Sequence, residues 1–136
     1  MGATTEGRET REQIEQTLGL VPGFFEGIPE ADLVAEWPTF QRYTLEESEI
    51  PPKYRELMGL AVAANKGGLY CQHFHSHAAR LHGATDAELE EAAALSSVTA
   101  RWSAMIHAQN YDLDTFEDET DQIGEHLQAQ MEAADD

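Results

Sequence analysis

A chain of 136 residues is the size of one compact domain, and it can bury roughly two thirds of its unfolded surface in a single modest core. Acids outnumber bases 26 to 8, a formal net charge of −18, and only two of the bases are lysines, Lys53 and Lys66. That balance excludes a nucleic-acid binder working through a basic patch, and by the same sign it excludes attraction to anionic lipid headgroups.

The N-terminal Met1–Gly7 reads as frayed, followed by a short polar helix over about Arg8–Leu18 that ends at Gly19, a natural C-cap. Val21 to Pro29 is an apolar loop punctuated by Gly and Pro, with Pro29 suited to open a helix. That helix carries Leu33, Val34 and Trp37; Pro38 kinks or interrupts it, and Phe40 and Tyr43 extend its apolar face. A third helix, about Pro52–Asn65, shows an apolar stripe of Leu57, Leu60, Ala61 and Ala64, and Gly67-Gly68 breaks it. A fourth, about Leu69–His82, stops at Gly83. Thr85-Asp86-Ala87-Glu88 is a capping box that starts a long helix. Its stripe of Leu89, Ala92, Ala93, Ser96, Ala100 and Ser103 is made mostly of small residues, which suits a tight bundle or a subunit seam. The last helix, about Asp114–Glu132, keeps Phe116, Ile123, Leu127 and Met131 on one side. No alternating strand pattern occurs, so the fold class is all-α in a single domain spanning 1–136.

A 41% hydrophobic fraction in periodic stripes argues for a folded protein with an acidic shell rather than a disordered chain. So much like charge repels itself at ordinary ionic strength, whereas molar salt shortens the Debye length to about 3 Å. Acidic surface with scarce lysine therefore points to a halophile's cytoplasm. One cysteine, Cys71, allows no disulfide within a chain; Met1–Glu15 has no apolar run of a signal peptide. The longest nearly uncharged apolar stretch, Leu57–Ala64, is far below the ~20 residues of a membrane span.

Chemistry concentrates in Gly68-Leu69-Tyr70-Cys71-Gln72-His73-Phe74-His75-Ser76-His77, which holds the thiol and three of the six histidines. At about 100° per residue, Cys71 and His75 share one helical face, with His82 two turns further on; His73 and His77 lie on another. Cys71 falls in the first turn of its helix, where the dipole favours a thiolate, and a neighbouring His can take the proton. The alternative is a lone cysteine buried as an inert hydrophobe. His73 and His77 read as solvated, and His82 beside Gly83 as a C-cap. A Cys/His metal site is a rival reading, but a Cys-His pair one turn apart supplies two ligands where zinc takes three or four. Glu56, fifteen residues before Cys71, is either an exposed helix residue paired with Lys53 or Arg55, or a buried carboxylate fit to relay protons.

Ile50-Pro51-Pro52-Lys53-Tyr54-Arg55-Glu56-Leu57, then Tyr70-Cys71, His75 and Gly83-Ala84-Thr85-Asp86-Ala87-Glu88-Leu89, together resemble the carboxymuconolactone decarboxylase superfamily, most closely its alkylhydroperoxidase D-like branch. The resemblance covers about residues 18–132 and implies a bundle of about six helices that assembles as a trimer or hexamer. It matches Cys71 to the second cysteine of the branch's Cys-x-x-Cys, His75 to its histidine and Glu56 to its glutamate. The first cysteine falls on Gly68, so the dithiol cycle is lost within one chain. What the resemblance then implies is a thiol-dependent peroxidase: Cys71 as nucleophile, His75 as base, Glu56 as proton relay and Tyr70 as a substrate hydrogen-bond partner. It would use a hydroperoxide substrate, an external thiol as reductant and no cofactor. Family members lacking the dithiol leave a non-redox lyase or isomerase as the alternative, and a Cys/His metal- or ligand-binding protein without turnover as another.

Overall fold

Thr4 acts as an N-cap: its hydroxyl accepts the Gly7 N–H at 3.0 Å, and helix α1 (Thr5–Leu18) runs from there to Gly19, whose φ of 83° closes it. The computed structural model describes residues 4–134. Helix α1 begins three residues earlier than its sequence suggests, and Thr4–Gly7 is not frayed; Met1–Ala3 lie outside the described residues. The reason is a long-range clamp. The Glu30 carboxylate accepts both the Thr4 N–H at 2.9 Å and its hydroxyl at 2.7 Å. Gly7 lets this happen, because a Cβ there would collide with the Glu30 side chain.

Seven α-helices and one π turn make up the described residues, with no strand among them, so the fold is all-α. The chain divides into two units, Met1–Ala93 and Ala94–Asp136. In the first, the helix beyond the expected six is α2 (Gly23–Glu26), a single turn inside the segment that reads as a loop. It forms because Phe25 is buried with Ile14, Leu33 and Trp37, with Leu18, Val21, Ile28 and Phe40 packed around them. Helix α3 (Glu30–Phe40) begins after Pro29 and is not interrupted at Pro38, which lies within its last turn. The chain then widens into a π turn, Gln41–Leu45, closed by the Glu46 N–H on the Gln41 carbonyl at 3.0 Å. Arg55 donates to the Arg42 carbonyl at 3.2 Å and the Glu46 carbonyl at 2.7 Å, so this irregular stretch is stapled to the next helix.

That helix, α4 (Pro52–Lys66), takes Pro52 in its first turn and ends at Gly67 with φ 66°. It packs along α5 (Leu69–Leu81), which His82 closes as C-cap. The buried line of α4 is Glu56, Leu60 and Ala63, whereas Leu57, Ala61 and Ala64 are half-buried. The line is displaced from the predicted stripe because a carboxylate, Glu56, takes one of its positions and the half-buried Gly59 lies beside it, both against His75. Leu60 joins Ala79, Leu89 and Ala92 in a second core. Leu89 and Ala92 belong to α6 (Asp86–Ala108), which opens on the predicted capping box: Glu88 N–H to Thr85 Oγ1 at 3.1 Å and Thr85 N–H to Glu88 Oε2 at 2.8 Å. Lys53 on α4 donates to Glu88 at 2.8 Å, tying α4 to this start of α6.

In the second unit the later turns of α6 lead through Asn110, at φ 48°, to α7 (Leu113–Ala134), which Asp112 caps through the Thr115 N–H at 2.9 Å and hydroxyl at 2.8 Å. Every described residue of α7 is exposed, including Phe116, Ile123, Leu127 and Met131. On α6 the small-residue stripe is buried only at Leu89 and Ala92; Ser96 is half-buried and Ala93, Ala100 and Ser103 are exposed. Among the described residues no helix is long and apolar enough to cross a membrane.

Candidate active site

Gly68 is the N-cap of α5, so Cys71 sits within the first turn of the helix, as its position in the sequence suggests. It is a free, exposed thiol and not a buried hydrophobe. His75 follows one turn later, with Cβ atoms at such spacing about 5–6 Å apart. Its Nδ1 meets Glu56 Oε2 at 2.6 Å. Glu56 is only 2% exposed, the one buried charged residue among the described residues. The reading that pairs it with Lys53 or Arg55 at the surface therefore fails: Lys53 holds Glu88, and Arg55 holds backbone carbonyls. In the tautomer whose Nδ1 carries the proton, Glu56 accepts the bond and Nε2 is left with the free lone pair.

Cys71 and His75 line one pocket of about 560 Å³ with Tyr70, Phe74, Phe24, Phe40 and Thr44. Four elements of the first unit build it: α2, the end of α3, the π turn and α5. Its wall is aromatic, with Phe40 and Phe74 in an edge contact at 6.1 Å between centroids and Phe74 edge-on to His75 at 5.3 Å. No Lys or Arg lines it. Tyr70 is at its mouth, 93% exposed.

The other histidines lie apart from this chemistry. His73 and His77 are exposed and tilt against each other at 4.1 Å, with His77 Nδ1 donating to the His73 carbonyl at 3.0 Å. Among the described residues no group of three or more His, Cys, Asp and Glu could hold a metal ion. Residues that the sequence reading passed over complete the site. Phe24, Phe40, Thr44 and Phe74 form its walls, and of these only Phe74 adjoins the histidine run that drew attention. The paired Phe24-Phe25 in a Gly/Pro-rich stretch was a signal, since one ring enters the core and the other the pocket.

The family model of the carboxymuconolactone decarboxylase family matches residues 31–111, more than half of the chain and all of α4 and α5. The chain belongs to the carboxymuconolactone decarboxylase family. This member is also similar to a solved structure, the alkylhydroperoxidase AhpD core from Rhodospirillum rubrum, at 28% identity and a TM-score of 0.71. The likeness covers 81% of this chain and 84% of that one. No curated protein matches. Cys71 is the chain's sole thiol, and the Glu56–His75 pair lies within the matched span.

Proposed function

We propose that this family member is a thiol-dependent peroxidase with a one-cysteine cycle, and that Cys71, His75 and Glu56 carry it. The observation behind the reading is that an exposed thiol and an imidazole share one pocket wall, with a buried carboxylate held at 2.6 Å on Nδ1 of that imidazole. Glu56 orients the ring through Nδ1, and Nε2 takes the Cys71 proton. The thiolate attacks the outer oxygen of a hydroperoxide, the O–O bond breaks, and the leaving alkoxide recovers a proton from the imidazolium as an alcohol. Cys71 is left as a sulfenic acid, oxidised by two electrons. An external thiol condenses with it, releasing water and forming a mixed disulfide. A second thiol then displaces Cys71 and leaves as the small disulfide. The exposed position of Cys71 supports this route, because the reductant must reach the sulfur.

Pocket chemistry supports an uncharged organic substrate, since its walls are aromatic rings and no cation lines them. The non-redox alternative, acid–base work on a lactone or similar acid, draws support from the intact Glu56–His75 pair but lacks a cation for the substrate's carboxylate. Tyr70, an exposed residue that lines the pocket, is the substrate's hydrogen-bond partner in this proposal. Assembly belongs to the same proposal: a trimer or hexamer would cover the exposed apolar residues of α7. Acidic composition supports a cytoplasm of high salt. The test is consumption of an uncharged organic hydroperoxide with a small thiol present, in high-salt buffer. Turnover that vanishes in Cys71→Ser supports the reading; equal rates with and without the protein overturn it.

A further inference from the structure

Gly59 lies on the α4 face that meets α5, one turn after Glu56, between Met58 and Leu60. A Cβ built on it would stand 2.5 Å from Cε1, 2.6 Å from Nδ1 and 2.7 Å from Nε2 of His75. Three ring atoms at nearly one distance mean that the imidazole lies flat against the bare Cα of Gly59. Real Cβ contacts never come so close, so any side chain here displaces the ring. His75 has two torsions with which to move, and both are already set by the 2.6 Å bond from Nδ1 to Glu56. The ring cannot yield without giving up that bond. Glycine is otherwise a poor choice in a helix interior, where it costs stability relative to alanine. Its backbone here is ordinary helix, so no positive φ demands it. By contrast, Gly124 in α7 has open space around it.

We infer that Gly59 is a positioning residue: it is the seat that presses the His75 ring into register with Glu56 and leaves Nε2 facing the Cys71 pocket. The inference deepens the peroxidase reading and rests on it for the role of His75, while the seat itself is a claim about packing that stands apart.

The experiment compares Gly59→Ala, His75→Ala, their double variant and Gly124→Ala as a helix control. In Gly59→Ala the melting temperature falls despite the better helix former, whereas Gly124→Ala holds or gains. Removing the ring frees the space, so adding Gly59→Ala to His75→Ala raises the melting temperature instead of lowering it. Nitrogen shifts of the isotopically labelled His75 ring report the bonded Nδ1–H in wild type and lose that signature in Gly59→Ala. Peroxidase turnover falls in Gly59→Ala by as much as in His75→Ala, about 10²-fold or more for loss of a general base, and the double variant loses nothing further. Should Gly59→Ala alone fail to fold, a folded double variant supports the seat and an unfolded one overturns it. Unchanged ring shifts in Gly59→Ala, or an equal loss of stability with and without the His75 ring, also overturn it. Full turnover in His75→Ala would instead sink the peroxidase role of the histidine, with the stability and ring-shift comparison still deciding the seat.

Discussion

Gly68 stands three residues before Cys71, and the structure says what a cysteine would do there. Its φ of −84° and ψ of 86° lie on the side of backbone space open to L-residues. A Cβ added to it would stand 3.9 Å from the Cβ of Cys71 and 3.8 Å from the Ala63 carbonyl oxygen, ordinary contacts. Disulfides need Cβ atoms about 3.5–4.5 Å apart. Gly68→Cys should therefore form a bond to Cys71 under mild oxidation without moving the turn between α4 and α5. The loop closed is short, and the chain-entropy relation gives roughly 2 kcal/mol for it, some 5–10 °C in Tm for a chain of this size. The measurement is a thiol count under denaturing conditions, with Tm for the oxidised and reduced forms of the same variant, so that the effect of replacing glycine cancels. Oxidised protein should show no free thiol and the higher Tm. Two thiols that survive oxidation, or an oxidised form that melts no higher than the reduced one, would refute the geometry of this turn.

Three other outcomes are expected of this protein. Glu56→Ala removes the acceptor of a buried, charge-assisted hydrogen bond and should cost about 2 kcal/mol by denaturant titration, whereas Glu56→Gln keeps the volume and loses chiefly turnover. Because −18 of charge surrounds a small core, Tm should climb steadily as KCl is raised from about 0.1 M to the molar range; a flat response removes the halophilic reading. At the Lys53–Glu88 strap, the hydrogen bond from Lys53 holds the Glu88 carboxyl below its ordinary value, and the same bond holds Lys53 above its own. A lowered acid contributes stability above its ordinary pKa and loses it as pH falls through the folded value, and a raised base loses its share only as pH climbs past its own folded value. The Tm deficit of Lys53→Ala should thus be constant through neutral pH and shrink towards zero in acid, as scanning calorimetry at stepped pH would record.

Helix caps were the most legible part of the chain. Gly19, Gly67 and the Thr85–Glu88 box each act through bonds within a few residues, and each is where its local chemistry puts it. The fold class followed from stripes of period 3.6. Less legible was anything set by tertiary contact: Thr4 is ordered by Glu30, twenty-six residues away, and α2 by the burial of Phe25. The α4 stripe shows the limit of hydropathy most plainly. Glu56 and Gly59 face the interior because they meet His75, and neither counts as apolar. A lone glycine inside a helical pattern was the available sign. In the site itself, Cys71 and His75 were legible from spacing on one helix, but residue chemistry alone leaned towards a surface role for Glu56. Its match to the family motif put it with Cys71 and His75, and the structure buries it against His75. The aromatic walls come from segments up to fifty residues apart, and no local pattern joins Phe24 to Phe74.

The account turns on whether Cys71 is a peroxide-reactive thiol activated by His75. A single-turnover trap answers that most directly: reduced protein receives one equivalent of an uncharged organic hydroperoxide, with a sulfenate-specific nucleophile present, and the adduct is located by mass spectrometry. Wild type should carry the adduct on Cys71 within one turnover, and His75→Ala should form it about 10²-fold more slowly. A Cys71 that stays a thiol while the hydroperoxide persists, or that reacts equally fast in wild type and His75→Ala, would contradict the account.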